Sequence, residues 1–127
     1  MNINQKKHIL IVEDDSSTKA LYTSILSENY RLSTVSTVED AKEIIENEPF
    51  DLVIVDIGLP RELNGIDLIV HIRQNDQDRR LSILTITAHA SNQTRLDSIS
   101  AGSDDFLSKP VHPNDLIAAV EQQLESA

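Results

Sequence analysis

Four short pieces of this sequence carry groups able to handle phosphate. An apolar run, His8-Ile9-Leu10-Ile11-Val12, ends in Glu13-Asp14-Asp15, and a second, Leu52-Val53-Ile54-Val55, ends in Asp56. A third run, from Ile83, closes on Thr87-Ala88, and a fourth short piece closes on Lys109-Pro110. Carboxylates gathered in one place repel one another and raise at least one pKa unless a cation neutralises them. Oxygen donors around an open mouth suit Mg²⁺, which keeps several waters and takes one or two carboxylates. A hydroxyl and an ammonium beside such a cluster complete the parts needed to hold a phosphoryl group: the cations neutralise its oxygens and the hydroxyl donates a hydrogen bond. Each piece alone has an ordinary explanation. Acids begin helices, and Asp15 or Ser16 suits a helix cap; a single lysine is a common surface group. The functional argument lies in bringing the four together.

The elements between them do that. Short apolar runs read as buried strands at His8–Val12, Arg31–Val35, Leu52–Val55, Ile83–Thr87 and, more briefly, Asp105–Ser108. Helical periodicity fills the gaps. The first helix, Ser17–Glu28, places Leu21, Tyr22, Ile25 and Leu26 on one face, and Thr37 caps a second from Val38 to Glu46 facing in with Val38, Ala41, Ile44 and Ile45. Ile66, Ile69 and Ile72 mark a third. Ser91–Ala101 is a fourth with a thin stripe, Leu96 and Ile99, ended by Gly102. A last helix begins near Pro113 and faces in with Leu116, Ile117, Val120 and Leu124. Strands apolar on both faces and alternating with helices predict an α/β doubly wound sandwich, (βα)5, with one parallel sheet. In the flavodoxin-like strand order 2-1-3-4-5 the first and third strands are neighbours, and sites form at the carboxyl ends of the strands. Glu13, Asp14 and Asp56 would then converge.

Composition narrows the classes. A chain of 127 residues fits one domain, expected to fill 1–127 with a core from about 7 to 124, and buries enough surface to need no staples. It has no cysteine, so neither a disulfide framework nor a thiolate metal site is available. The formal net charge is −10, and the basic pairs Lys6-Lys7 and Arg79-Arg80 are short, which argues against direct nucleic-acid binding and against contact with anionic lipid. No secretion signal or membrane span is read in the sequence, so a cytoplasmic location is expected.

At this point the residues resemble the receiver domains of response regulators in two-component signalling. The likeness runs from Lys7 to about Leu124 and is carried by Ile9 to Asp15, Val53 to Pro60, Thr87-Ala88 and Lys109-Pro110. It implies that Asp56 is the phosphoacceptor and that Asp14 is a direct Mg²⁺ ligand, with Glu13 helping and the Gly58 backbone carbonyl as a further ligand. It implies that Lys109 pairs with the phosphoryl group across a cis Lys109-Pro110 bond, that Thr87 is the switch hydroxyl, and that Phe106 is the aromatic switch residue. The chain would be no enzyme beyond catalysing its own phosphorylation and dephosphorylation. Its partners would be a histidine kinase or a histidine phosphotransfer domain, with a homodimer through the face of the fourth helix, fifth strand and fifth helix as a further association. On phosphorylation Thr87 is expected to move inward, Phe106 to follow, and that face to change.

Relative to the family pattern, Arg61-Glu62-Leu63-Asn64 before Gly65 contains one extra residue. Gly58 offers no side chain to guide attacking water, and His89, two residues after Thr87, is expected at the pocket mouth, tuning dephosphorylation. His8, His71 and His112 lack metal-ligand spacing and read as strand-edge, helix-surface and helix-capping residues. Other classes fit less well. A haloacid-dehalogenase-type phosphatase needs two aspartates separated by one residue after the first strand, and an FMN binder needs a Gly-rich loop where Asp14-Asp15-Ser16-Ser17 stands. A degenerate receiver that only binds partners is the main alternative, although the acceptor, the acids and the lysine are all present. The wording of the motifs is closest to receivers of hybrid histidine kinases; a stand-alone regulator is the other context.

Overall fold

The computed structural model describes residues 6–58, 65–75 and 81–125; the expected extra residue among 61–64, and Arg79-Arg80, lie outside these. Five strands, β1 (His8–Val12), β2 (Arg31–Val35), β3 (Leu52–Val55), β4 (Ser82–Thr87) and β5 (Asp105–Ser108), alternate with five helices, α1 (Ser16–Leu26), α2 (Val38–Asn47), α3 (Gly65–Asn75), α4 (Asn92–Ala101) and α5 (Pro113–Glu125). Every pairing is parallel, and the strand order is β2-β1-β3-β4-β5, the doubly wound flavodoxin-like arrangement expected. Among the described residues no helix is long and apolar enough to cross a membrane.

Because side chains alternate along a strand, each central strand feeds two cores. Leu10, Val12, Val53, Val55 and Ile83 pack with Val38 and Ala41 of α2 and Leu68, Ile69 and Ile72 of α3. Ile9, Ile11, Leu52, Ile54, Leu84 and Ile86 pack on the other face with Tyr22 and Leu26 of α1 and Leu116, Ala119 and Val120 of α5. That double burial explains why these strands read as unbroken apolar runs.

The helix caps follow the sequence. Asp15 caps α1 by accepting the Thr18 N–H at 2.8 Å, Thr37 caps α2 through the Asp40 N–H, and Ser91 caps α4 through the Thr94 N–H. Gly102 ends α4 at φ 126°, where its carbonyl accepts the Arg73 Nε–H at 2.9 Å. The same guanidinium reaches Leu81 O at 2.7 Å and Asp104 Oδ2 at 2.8 Å, tying α3 to the turn after α4.

Several faces differ from the pattern expected. Leu21, assigned to the inner face of α1, is 45 % exposed; α1 begins at Ser16, and Tyr22 and Leu26 carry its burial. Ile117 likewise stands at the rim of α5, where Ala119 is buried. The largest difference is in α4: Leu96 is 60 % and Ile99 44 % exposed, and the helix's buried residue is Ser98. Its apolar stripe faces solvent, because a hydroxyl partner on β4 draws Ser98 to the sheet. His8 is not a surface residue of its strand: its ring is buried, bonded to Pro49 O and Ser33 Oγ, with Phe50 4.2 Å away. His112 accepts the Asn114 N–H at the start of α5, as a cap does.

Candidate functional site

The carboxyl ends of β1, β3, β4 and β5 deliver the four motifs to one place. Glu13, Asp56 and Lys109 each stand just past the last ladder pair of their strand and are held by one more sheet-like bond, while Thr87 is in the last pair of β4 with β5. Glu13 N–H donates to Val35 O at 3.0 Å, Asp56 N–H to Val12 O at 3.1 Å, and Lys109 N–H to Thr87 O at 2.9 Å. The backbone sites are therefore rigid extensions of the sheet, which suits positioning of reactive groups. Gly65 packs directly behind Asp56; a Cβ there would stand 2.6 Å from Asp56 O and 2.7 Å from Ile57 Cα. The Lys109-Pro110 bond is cis.

Lys109 Nζ donates to Asp56 Oδ2 at 2.8 Å and to Glu13 Oε1 at 2.6 Å. The Gly58 N–H binds the other Asp56 oxygen at 2.9 Å, and Glu13 Oε2 accepts the Asp15 N–H at 3.1 Å. Glu13 and Asp56 are 2 % and 8 % exposed, whereas Asp14 lies at the open side. Glu13, Asp14 and Asp56 each offer a carboxylate oxygen, all within 4.8 Å of one another. Hard oxygen donors with one side open match the needs of Mg²⁺.

The charges are unevenly balanced. Burial alone would raise the Asp56 carboxyl, but the Lys109 hydrogen bond, the Gly58 N–H, the lysine charge and the Thr87 hydroxyl together hold it below the ordinary range. At Glu13 burial prevails and pushes the carboxyl up, despite Lys109 and the Asp15 N–H, and the nearby Asp56 charge adds to the rise. Burial acts to lower Lys109, yet its two carboxylate partners raise it above an ordinary lysine. The ammonium is thus locked in its charged form.

Thr87 is fully buried, and its Oγ1 accepts the His89 N–H at 3.1 Å. Phe106 is inside, 6 % exposed, with the Arg95 guanidinium 5.9 Å over its ring. The inward position that the resemblance assigns to the switched form is the one this conformation adopts. His89 stands at the pocket mouth against Gly58: a Cβ on that glycine would lie 2.5 Å from the ring's Cδ2, so only a residue without a side chain leaves room for the imidazole there.

Six of the seven site residues named from the sequence, Glu13, Asp14, Asp56, Gly58, Thr87 and Lys109, fall at this one edge, and Phe106 lies within β5, paired with Thr85. Sequence reasoning missed the bridge from Lys109 to Glu13, since nothing in the spacing tells which acid shares the ammonium. It also missed Tyr22, read as plain core. Its hydroxyl is buried without a partner among the described residues, and burial raises its pKa to about 12, modified by the Lys109, Glu13 and Asp56 charges. A tyrosine on the inner face of a helix about two turns past an acidic motif is the signal that could have found it.

Residues 9–121 match the family model of the response regulator receiver domain. The TorCAD operon transcriptional regulatory protein TorR of Escherichia coli O157:H7 is 32 % identical over 118 residues, which are 92 % of this chain and 50 % of that regulator; the chain thus spans about half the length of this relative. The crystal structure of a CheY-like receiver domain protein from Methanospirillum hungatei superposes with a TM-score of 0.89 at 31 % identity, covering 96 % of each chain. The BeF3-activated receiver domain of DrrB superposes at 0.85 with 26 % identity, covering 95 % of this chain and 99 % of that one.

Proposed function

This chain belongs to the response regulator receiver domain family, and from that premise we propose that Asp56 accepts a phosphoryl group from a phosphohistidine. The observation that carries the reading is the lysine bridge: Lys109 Nζ contacts both Asp56 and Glu13 within 2.8 Å, beside a three-carboxylate cluster. An Asp56 oxygen attacks phosphorus in line, the P–O bond forms as the P–N bond breaks, and the imidazole leaves with its electron pair. The depressed Asp56 pKa keeps that oxygen unprotonated and ready. Lys109 then follows the charge from the carboxylate to the phosphoryl oxygens, and the Thr87 hydroxyl donates a hydrogen bond to them. Glu13, Asp14, Asp56 and the Gly58 carbonyl would hold Mg²⁺, which when bound supplies neutralisation of phosphoryl charge.

In this reading Thr87 and Phe106 form the switch, and the other state is the one with the ring turned out. The altered face is α4-β5-α5, where exposed Leu96, Ile99 and Ile117 suit a homodimer. The partners are a histidine kinase or a histidine phosphotransfer domain, in the cytoplasm. The chain acts as one receiver unit, stand-alone or within a hybrid kinase or larger regulator. The net charge of −10 leaves nucleic acid to other parts of such an assembly.

The test is intact mass after incubation with a small phosphoryl donor, with and without Mg²⁺, beside Asp56→Asn. The expected result is one added phosphoryl mass that needs Mg²⁺ and vanishes in the variant. No gain in a folded sample that still binds Mg²⁺ would favour a degenerate receiver that works only through partner contacts.

A further inference from the structure

α4 is attached to the sheet differently from the other helices. Among the described residues it puts no fully buried side chain into either apolar cluster; half-buried Ala101, its last residue, is its one contact with them. What it buries is Ser98. Ser98 Oγ lies 2.9 Å from Thr85 Oγ1, and that oxygen lies 2.8 Å from Ser103 Oγ. Ser103 Oγ in turn donates to Asp105 O at 2.8 Å, with Ile83 O at 3.4 Å. Ser98 and Thr85 are fully buried and Ser103 nearly so.

Counting protons orders this chain. A carbonyl only accepts, so the single Ser103 hydroxyl proton is committed to a backbone oxygen. The 2.8 Å contact with Thr85 then needs the Thr85 proton. Thr85 must accept from Ser98. The bonds therefore run one way, Ser98 to Thr85 to Ser103 to Asp105 O.

Both ends lie beside the switch. Asp105 directly precedes Phe106, and Thr85 is the ladder partner of Phe106, two residues before Thr87 and on the same face of β4. Arg95, one helical turn before Ser98, is the residue whose guanidinium lies over the Phe106 ring. Apolar docking is non-directional and tolerates sliding, whereas a closed run of directed bonds keeps one register or breaks as a unit.

We propose that the Ser98–Thr85–Ser103 hydroxyl chain is a latch that fixes α4 in register on β4 and, through Arg95, holds Phe106 inside, so setting how readily the switch moves. The latch rests on the receiver reading only for its link to phosphorylation; its hold on α4 and Phe106 stands on the hydroxyl geometry.

The sequence has only two phenylalanines, Phe50 and Phe106, so fluorine-labelled phenylalanine gives two resonances, assigned with Phe50→Leu. Thr85→Val removes the central hydroxyl while keeping the branched shape, and Ser98→Ala removes the first. In each, the Phe106 resonance is expected to shift or broaden while Phe50 stays. Amides of α4 should exchange about fivefold faster with β1 and β3 unchanged, and the double variant should be little worse than either single. An unmoved Phe106 and unaltered α4 exchange in either folded variant overturns the latch, as does a change shared equally by β1 and β3. Adding beryllofluoride and Mg²⁺ to the wild type reads the switch separately. A silent Phe106 there counts against the phosphorylation switch, while α4 exchange in the variants still decides the latch.

Discussion

α5 and α4 lie on opposite faces of the sheet, both against β4, but hold to it by opposite means. α5 inserts Leu116, Ala119 and Val120 into the cluster formed by Ile9, Ile11, Leu84 and Ile86. α4 turns Leu96 and Ile99 outward and docks through a hydroxyl. Apolar burial provides the bulk of folding stability and is indifferent to small shifts. A hydroxyl network adds little net stability but specifies position. The molecule thus separates the frame that carries the site from the element read as moving, and the separation can be tested by the cost of perturbing each side.

The largest effect is expected at Leu116→Ala. The side chain is fully buried in the cluster under α5, so truncation should cost about 2–5 kcal/mol in denaturant unfolding. A loss no larger than that of an α4 surface change would erase the contrast between the two helices. Next is Gly102→Ala, at the end of α4. Its φ of 126° is strained for any residue with a side chain, and the new Cβ would stand 2.4 Å from Arg73 Cγ. A cost of about 1–3 kcal/mol is expected, with α4 and the Arg73 clamp loosening first by hydrogen exchange. Stability equal to wild type would mean that the clamp contributes nothing to holding that end.

Much of this is legible in the sequence. The five strands could be read because both their faces are buried, so the apolar runs are continuous, and the site residues could be read because each follows such a run directly. Thr37 and Asp15 announced their helices through their side-chain chemistry. The extent of α4 is legible, but the face it buries is not, for a physical reason. Periodicity assumes that apolar residues face the core, and here Ser98, a residue that scores as solvent-facing, is drawn inward by Thr85. Thr85 itself hides within a strand where β-branched residues are ordinary. Pairings such as Lys109 with Glu13, 96 positions apart, are set by the sheet order rather than by any local pattern.

A smaller effect is expected from pH, at the edge where the frame meets the switch. The Asp56 carboxyl is held low in the fold, so its contribution to stability is present above its unfolded pKa and is lost as pH falls through its lower folded value. Glu13 is held high and acts in the opposite sense: it favours the folded state below its unfolded pKa, and that contribution is lost as pH rises through the folded value. Melting temperatures followed from about pH 6 down to about pH 3, across the ordinary carboxyl range, should therefore fall less steeply for Asp56→Asn than for wild type. They should fall more steeply for Glu13→Gln. Equal slopes in all three proteins would mean that the two carboxyls are no more distinct in the fold than in the unfolded chain.

The smallest effect expected is also the one that presses hardest on the comparison. Leu96→Ala and Ile99→Ala remove large apolar side chains from a helix, and if α4 were docked as α5 is, each would cost as much as Leu116→Ala. Here both side chains are outward, 60 % and 44 % exposed, so truncation opens no cavity and should change stability by no more than about 0.5 kcal/mol. What can change is association, since removing apolar surface from a solvated face weakens any contact made there. Sedimentation at rising concentration, read beside unfolding, separates the two. Unchanged stability with weakened self-association would leave α4 as a helix held by hydroxyls and offered outward. A loss of several kcal/mol without a change in association would mean that Leu96 and Ile99 pack inward in solution, and the distinction between the two helices would fall.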